Sequence, residues 1–251
     1  MKLKLIACKA LARELSYVCA LSDNSIDVTW IRQGYHGTPE KLNTLLQEEI
    51  DRIESGFDDH TNAVAEGKDF DAIVLGYGLC SKATLGLKTK SHRLVIPRAH
   101  DCITLLLGSK ERYDQYFHEM PGTYWYSASW IENTDMPCEA SMLHMKKFYE
   151  SQGYDEDTID FLMEEVVTPV GYKTAAYINM PVKEREEDHE FTKTAAEYFG
   201  WNYCEIDGSL SLLEQMVAGN WNPEAFLVLE PGETAKQNYG KEILEKVPAD
   251  L

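Results

Sequence analysis

Three cysteines and one histidine stand in short runs whose residue types suit metal or thiol chemistry. Cys8 lies in Ile6-Ala7-Cys8-Lys9, and Cys80 in Gly76-Tyr77-Gly78-Leu79-Cys80-Ser81. His100 and Cys102 belong to Pro97-Arg98-Ala99-His100-Asp101-Cys102. Thiolates and imidazole are the donors that zinc, iron and iron–sulfur clusters take, and four of them fill a tetrahedral shell. Three such ligands with one open position suit catalysis or cofactor coordination instead. Cys8, Cys80, His100 and Cys102 are therefore the expected ligands of a metal ion (zinc or iron) or an iron–sulfur cluster. His100 and Cys102 are two residues apart, so in an extended segment they point the same way. Cys80 sits in a glycine-bearing turn that lets the backbone fold closely around a ligand.

Other readings of the same residues stand beside this one. In a metal-free thiol enzyme, Cys80 or Cys102 is the nucleophile and His100 its base, oriented by Asp101 or Asp71. Lys9 or Arg98 would lower the thiol pKa under either reading. In a purely structural reading the cysteines are small buried fillers. Around the ligands, Lys9, His36, Tyr77, Gly78, Ser81, Arg98, Asp101 and Glu230 are expected to line the site or grip a substrate. Arg98 offers an anion a bidentate fork, against the alternative of a surface ion pair. His36 lies in a loop at the same strand edge. The aromatic run Tyr124-Trp125-Tyr126 with Trp130 offers a stacking surface to a flat ligand, or simply a core. Cys19 and Cys204 fall in apolar patterns and read as core, while Cys138, after Pro137, is a fifth ligand candidate.

These runs need strands to position them. Leu3–Ala7, Ala72–Leu75 and Leu94–Ile96 are short apolar stretches of buried-strand character, and each chemical run follows one of them. In an open α/β sheet the groups beyond the carboxyl ends of the strands share one crevice. Helical spacing covers Ala10–Leu21, and Thr38-Pro39-Glu40 opens a second helix. Asp101 is placed to cap a helix that ends at Gly108. Tyr124–Trp130 reads as an aromatic strand or extended loop, and Glu139–Gln152 and Thr158–Val166 as helices. Strands follow at Lys173–Ile178, Asn202–Ile206 and Ala225–Leu229, with helices at His189–Phe199, Leu210–Val217 and Glu233–Val247. Alternating strands and helices predict an α/β fold with a mostly parallel sheet and helices on both faces. The stretch Asp71–Gly78 parallels Glu224–Gly232, each passing from an acid through an apolar strand to a glycine turn. This suggests two similar α/β halves facing a cleft, residues 1–135 with the Cys/His motifs and 136–251.

The formal charge is −18, from 42 acidic and 24 basic residues. That field repels nucleic acid and anionic membrane surfaces. The acids spread over amphipathic segments such as Glu48–Glu54, Glu156–Glu165 and Glu184–Glu190, which reads as a solvated surface. No apolar run is long enough to span a bilayer. The apolar N-terminal stretch is broken by Lys9 and Arg13, against a signal peptide. Six cysteines without a secretory signal imply reduced thiols and a cytoplasmic protein. There is no Cys-x-x-Cys, no ferredoxin-type cysteine run, no Gly-x-Gly-x-x-Gly, no phosphate-binding Walker sequence and no corrinoid-type Asp-x-His-x-x-Gly.

At Gly76–Cys80, at Leu94–Gly108 and at Pro121-Gly122-Thr123-Tyr124 the chain resembles the bacterial and archaeal family catalogued as domain of unknown function 1638. The likeness covers most of the chain. Members of the family often occur in anaerobes beside corrinoid-dependent methyl-transfer systems. The resemblance thus implies a role in one-carbon metabolism, with a corrinoid as a further cofactor and a methyltransferase or corrinoid protein as partner. Relatives are expected to carry a glycine-containing turn where Ser81-Lys82-Ala83 follows Cys80 here. The expected activity is metal- or cofactor-assisted chemistry on a small molecule. The alternative is a non-catalytic carrier that delivers a metal or cofactor to a methyltransferase.

Overall fold

The strand Lys2–Cys8 (β1) buries Leu3 through Ala7 without a break, as a strand covered on both faces must. Even Lys4 is fully buried, its ammonium 2.6 Å from Asp27 Oδ1. Asp27 is also the register partner of Lys4 on the neighbouring strand Ser25–Ile31 (β2), so the ion pair locks the pairing. The computed structural model describes residues 1–56, 69–168, 170–182 and 185–249. Between β1 and β2 runs a 3-10 turn, Lys9–Leu11, and then helix Ala12–Leu21 (α1). Helix Pro39–Glu54 (α2) begins with Pro39 in its first turn, although the Thr38 side chain makes no cap. Leu42, Leu46, Ile50 and Ile53 are its buried stripe, the expected amphipathic face. Strand Ala72–Gly76 (β3) pairs parallel with β1, and Arg93–Pro97 (β4) pairs parallel with β3. Helices Cys102–Leu107 (α3) and Lys110–Glu119 (α4) follow.

The chain packs as two compact units, one of Met1–Tyr113 with Ser209–Leu251 and the other of Asp114–Gly208. The division expected at 135/136 thus falls inside the second unit, whose sequence is an insertion into the first. The second unit has its own parallel sheet of strands Thr123–Tyr126 (β5), Thr174–Asn179 (β6) and Asn202–Asp207 (β7). The expected strand Tyr124–Trp130 stops at Tyr126, because Ser127 caps helix Ala128–Asn133 (α5) through the Trp130 N–H. Helices Glu139–Ser151 (α6) and Glu156–Leu162 (α7) come next, the latter running into a π-helical turn, Met163–Val167. Helix Glu186–Phe199 (α8) precedes β7; of the acidic run Glu184–Glu190, Glu184 lies outside the described residues. Tyr126, Met136, Ala175, Tyr177, Ala195 and Ala196 form the core of this unit.

The chain then returns to the first unit through helix Ser211–Ala218 (α9) and strand Phe226–Leu229 (β8). β8 joins the first sheet on the outer side of β4 and runs antiparallel to it, giving the order β2-β1-β3-β4-β8. The two stretches that parallel each other in sequence, Asp71–Gly78 and Glu224–Gly232, therefore belong to one sheet and run in opposite directions. They are not matching strands of two halves. The expected closing helix Glu233–Val247 is instead an antiparallel hairpin, Glu233–Gln237 (β9) with Leu244–Pro248 (β10). Asn238 and Gly240 break the helical pattern: Asn238 Oδ1 takes the Gly240 N–H at 2.7 Å, a local turn bond that favours a hairpin.

Candidate functional site

In the order β2-β1-β3-β4 the sense of strand addition reverses between β1 and β3. The carboxyl ends of these two strands mark the switch point at which open α/β sheets bind ligands. Cys8 is the last residue of β1. Cys80 opens the 3-10 turn Cys80–Lys82 beyond β3, and Cys102 is the first residue of α3 beyond β4. Two backbone hydrogen bonds fasten the loops after β3 and β4 together, from Leu79 N to Ala99 O (2.7 Å) and from Cys80 N to His100 O (3.2 Å). Gly78 makes this approach feasible: a Cβ there would stand 2.8 Å from Asp101 N and 2.9 Å from Ala99 O. Cys80 has φ +44° and Lys82 φ +77°, the left-handed region that a side chain disfavours. The turn expected to hold a glycine in relatives thus has a glycine-like backbone here, without the glycine. Strain of this kind clusters at functional sites.

The structure brings the three thiols into one electrostatic environment. Burial pushes Cys80 up to about 12, and the fields of Cys8 and Asp101 add to it. Burial raises Cys102 well above the ordinary thiol value, with further increments from Cys80, Asp101 and Cys8. Burial also raises Cys8, against the Ala10 N–H, which lies 3.4 Å from its sulfur, and the Tyr77 hydroxyl. Tyr77 is 2% exposed. Burial holds its phenol far above the ordinary value, and the fields of Cys8, Cys80 and Cys102 all add to that shift. Its hydroxyl is a donor toward the Cys8 sulfur, in a geometry looser than an ordinary hydrogen bond. The expected lowering of the thiols by Lys9 or Arg98 does not occur, because desolvation dominates and neither cation is among the causes. Among the described residues, no three His, Cys, Asp or Glu side chains stand tightly enough together to hold an ion as they are placed.

The remaining expected residues divide. His100 is exposed and its ring lies 5.7 Å from that of Tyr113; its charge acts on Asp101 and is not among the causes that shift the thiols. The extended alternation that would align it with Cys102 ends at Asp101. There the chain turns into α3, and Asp101 Oδ1 accepts the N–H groups of Ile103 (3.0 Å) and Thr104 (3.2 Å). Asp101 Oδ2 accepts the Tyr113 hydroxyl at 3.2 Å, so the carboxylate is a helix cap and a tether. Arg98 is buried, and its guanidinium donates to the carbonyls of Glu242 (2.9 Å) and Leu244. It clamps the β9–β10 hairpin rather than presenting a fork to a substrate. Lys9 is exposed on the turn after Cys8. His36 and Ser81 lie in 3-10 turns, and their side chains are outside what the structure describes.

Glu230 is at the other end of the sheet. β8 runs against β4, so Glu230 follows Leu229, the partner of Leu94, and pairs with Arg93 at 3.2 Å. Cys138 caps α6 in the second unit, its sulfur accepting the Ser141 N–H at 3.4 Å. Tyr126 is buried with its hydroxyl on Pro137 O, and Tyr124 stacks on Trp201, so this aromatic run serves the core. Cys19 and Cys204 are half-buried.

Sequence reasoning missed two features. Tyr113, twelve residues beyond Asp101, tethers the loop; nothing in its own neighbourhood signals this. At the amino end of β4, buried His92 bridges Glu54 Oε1 and Asp69 Oδ1, each at 2.8 Å. Glu54 also accepts the N–H groups of Lys90, Ser91 and His92, so this cluster ties α2 to the start of β4.

Fold and site together define an α/β protein with half-buried cysteines near the switch point of a mostly parallel sheet. The chain belongs to the family described as Protein of unknown function (DUF1638), whose model matches residues 30–217. That span contains Tyr77, Cys80 and Cys102; Cys8 precedes it. No curated protein and no solved structure matches the chain. Among the described residues no helix is long and apolar enough to cross a membrane.

Proposed function

We propose that Cys8, Cys80 and Cys102 form the binding site of a thiophilic metal ion, zinc or iron, or of an iron–sulfur cluster. The observation that carries this reading is the placement of three cysteines at or just beyond the carboxyl ends of three adjacent strands, with the loops after β3 and β4 bonded together. Soft sulfur donors suit these groups, and the buried Tyr77 hydroxyl beside the Cys8 sulfur is the kind of donor that supports metal-bound sulfur. When bound, the group supplies Lewis-acid or electron-transfer chemistry. The chain's own residues bury it, neutralise it with thiolates and hold the loops around it through Gly78, Asp101 and Tyr113.

In this reading the protein acts in the cytoplasm, where its six unpaired cysteines stay reduced. Its substrate is a small molecule or cofactor. A place in corrinoid-linked one-carbon metabolism, with a methyltransferase or corrinoid protein as partner, is carried by the resemblance alone, since the family's description names no function. The charge of −18 argues against nucleic acid as a ligand. The same thiols would serve a carrier that hands its metal to such a partner. A metal-free thiol enzyme is less well supported, since a nucleophile needs a lowered thiol pKa and burial raises all three.

The test is anaerobic purification followed by metal and acid-labile sulfide analysis and an ultraviolet–visible spectrum. Stoichiometric zinc, iron, or iron with sulfide is expected. A protein that stays metal-free after reconstitution with each would defeat the reading. A spectrum that shifts on adding a small donor such as cyanide would favour the enzyme over the carrier, because it reveals an open coordination position.

A further inference from the structure

At the amino edge of the first sheet, away from the cysteines, lies a cavity of about 520 Å³, a size typical of small-molecule sites. Phe70 and Asp71 line it at the entry to β3, Arg93 at the start of β4, Glu230 at the end of β8 and Trp221 beyond α9. All five belong to the first unit. Contacts hold these groups in place and leave part of each unspent. Asp71 Oδ2 accepts the Lys2 N–H at 2.7 Å, while Oδ1 has no hydrogen bond among the described residues. Arg93 meets Glu230 through Nε, at 3.2 Å; its two terminal nitrogens have no partner among the described residues. Trp221 donates its indole N–H to Met216 O at 2.9 Å, which fixes the ring. The Phe70 ring is buried, with the Lys2 ammonium 4.7 Å from its centroid.

We propose that this cavity binds a free amino acid, as the zwitterion, with a large apolar and preferably aromatic side chain. The terminal nitrogens of Arg93 offer the carboxylate a planar fork. Asp71 and Glu230 set two negative charges beside that one positive charge. A ligand that is only an anion is therefore repelled, phosphates included, and an ammonium group beside the carboxylate restores the balance. Trp221 and Phe70 supply apolar surface for the side chain, and ring-on-ring contact favours an aromatic one. A few polar groups on apolar walls are what gives a small-molecule site its orientation and specificity. The cavity lies at the opposite edge of the sheet from Cys8, Cys80 and Cys102, so this inference does not rest on the metal-site reading.

Radiolabelled L-phenylalanine is the probe, in equilibrium dialysis against the reduced full-length protein. One saturable site with Kd below about 1 mM is expected. Arg93→Gln should weaken binding about 10- to 100-fold, the effect of losing a charge-assisted hydrogen bond, and Asp71→Asn should weaken it in the same direction. The Arg93 and Glu230 side chains are 56% and 54% exposed, so Arg93→Gln should fold and melt as the wild type does. Trp221→Ala should abolish binding; should it fail to fold, the two exposed variants carry the test. As competitors, 3-phenylpropionate, which lacks the ammonium, and 2-phenylethylamine, which lacks the carboxylate, should each be at least about 10-fold weaker than phenylalanine. Phenylethylamine that competes equally would overturn the role of Arg93, and phenylpropionate that does so would overturn that of the acids. No saturable uptake, or uptake that Arg93→Gln and Asp71→Asn leave unchanged, would overturn the site. Cys80→Ala should bind phenylalanine as the wild type does, which separates this site from the thiols.

Discussion

Cys80 places a side chain where the backbone prefers none. At φ +44°, a residue with a Cβ is strained by about 1–2 kcal/mol relative to glycine. Cys80→Gly should therefore be more stable than Cys80→Ala by about 1 kcal/mol, since both lose the thiol and only one keeps the strain. Chemical denaturation of the two variants gives that difference directly. Both should lose most of the metal. If both keep their metal, Cys80 is a packing residue and its strain has another origin. At this scale the sequence was informative about types and less so about directions. The cysteines stand at the expected strand ends, since an apolar strand followed by a turn is a local signal. The orientation of His100 depends on where α3 begins, and the fate of the Arg98 guanidinium on carbonyls more than 140 residues away. Neither is encoded near the residue concerned.

The elements are held in place by polar contacts between the strands and the helices that pack on them. His92 joins Glu54 at the end of α2 to the start of β4. Burial opposes the charged imidazole, but Glu54 and Asp69 outweigh it and raise its pKa. Glu54 is held below the ordinary carboxylate range: burial opposes its charge, and its bonds to His92, Lys90 and Ser91 prevail. The raised histidine stabilises the fold fully below its ordinary value of about 6.5 and loses that effect as pH rises through the shifted one. The lowered glutamate stabilises above its ordinary value of about 4.3 and loses that effect as pH falls through the shifted one. The pair is thus strongest between about pH 4.5 and 6.5. The stability deficit of His92→Gln should be largest there, about 1–3 kcal/mol, and shrink toward pH 9. Thermal melts across that range measure it, and a deficit that does not vary with pH would show that the imidazole acts only by its shape. Most elements are legible in the chain: Asp101 with Gly108 brackets α3, and the apolar stripe marks α2. The closing hairpin is not, because Glu233–Val247 has enough acids and bases at helical spacing to imitate a helix. Only the Asn238-Tyr239-Gly240 turn argues otherwise.

Across the molecule, the first unit is built from residues on both sides of an insertion, Asp114–Gly208. A reading along the chain meets alternating strands and helices throughout and has no local cue that β8 returns to the first sheet. Pairing between β4 and β8 is a long-range choice, and it is what places Glu230 at the edge away from the thiols. The five-stranded sheet, by contrast, follows from short apolar strands separated by amphipathic helices, and its order puts β1 beside β3. That adjacency joins Cys8 to Cys80 across about seventy residues of chain. Burial raises the Cys80 and Cys102 thiols first, and the added fields come from neighbouring cysteines and Asp101.

X-ray absorption at the edge of whichever metal the anaerobic protein retains tests the site most directly, because it counts sulfur neighbours around the ion. The account expects a sulfur-rich shell in the wild type that loses sulfur in Cys8→Ala, Cys80→Ala and Cys102→Ala alike. A shell of oxygen and nitrogen that none of these substitutions changes would contradict it.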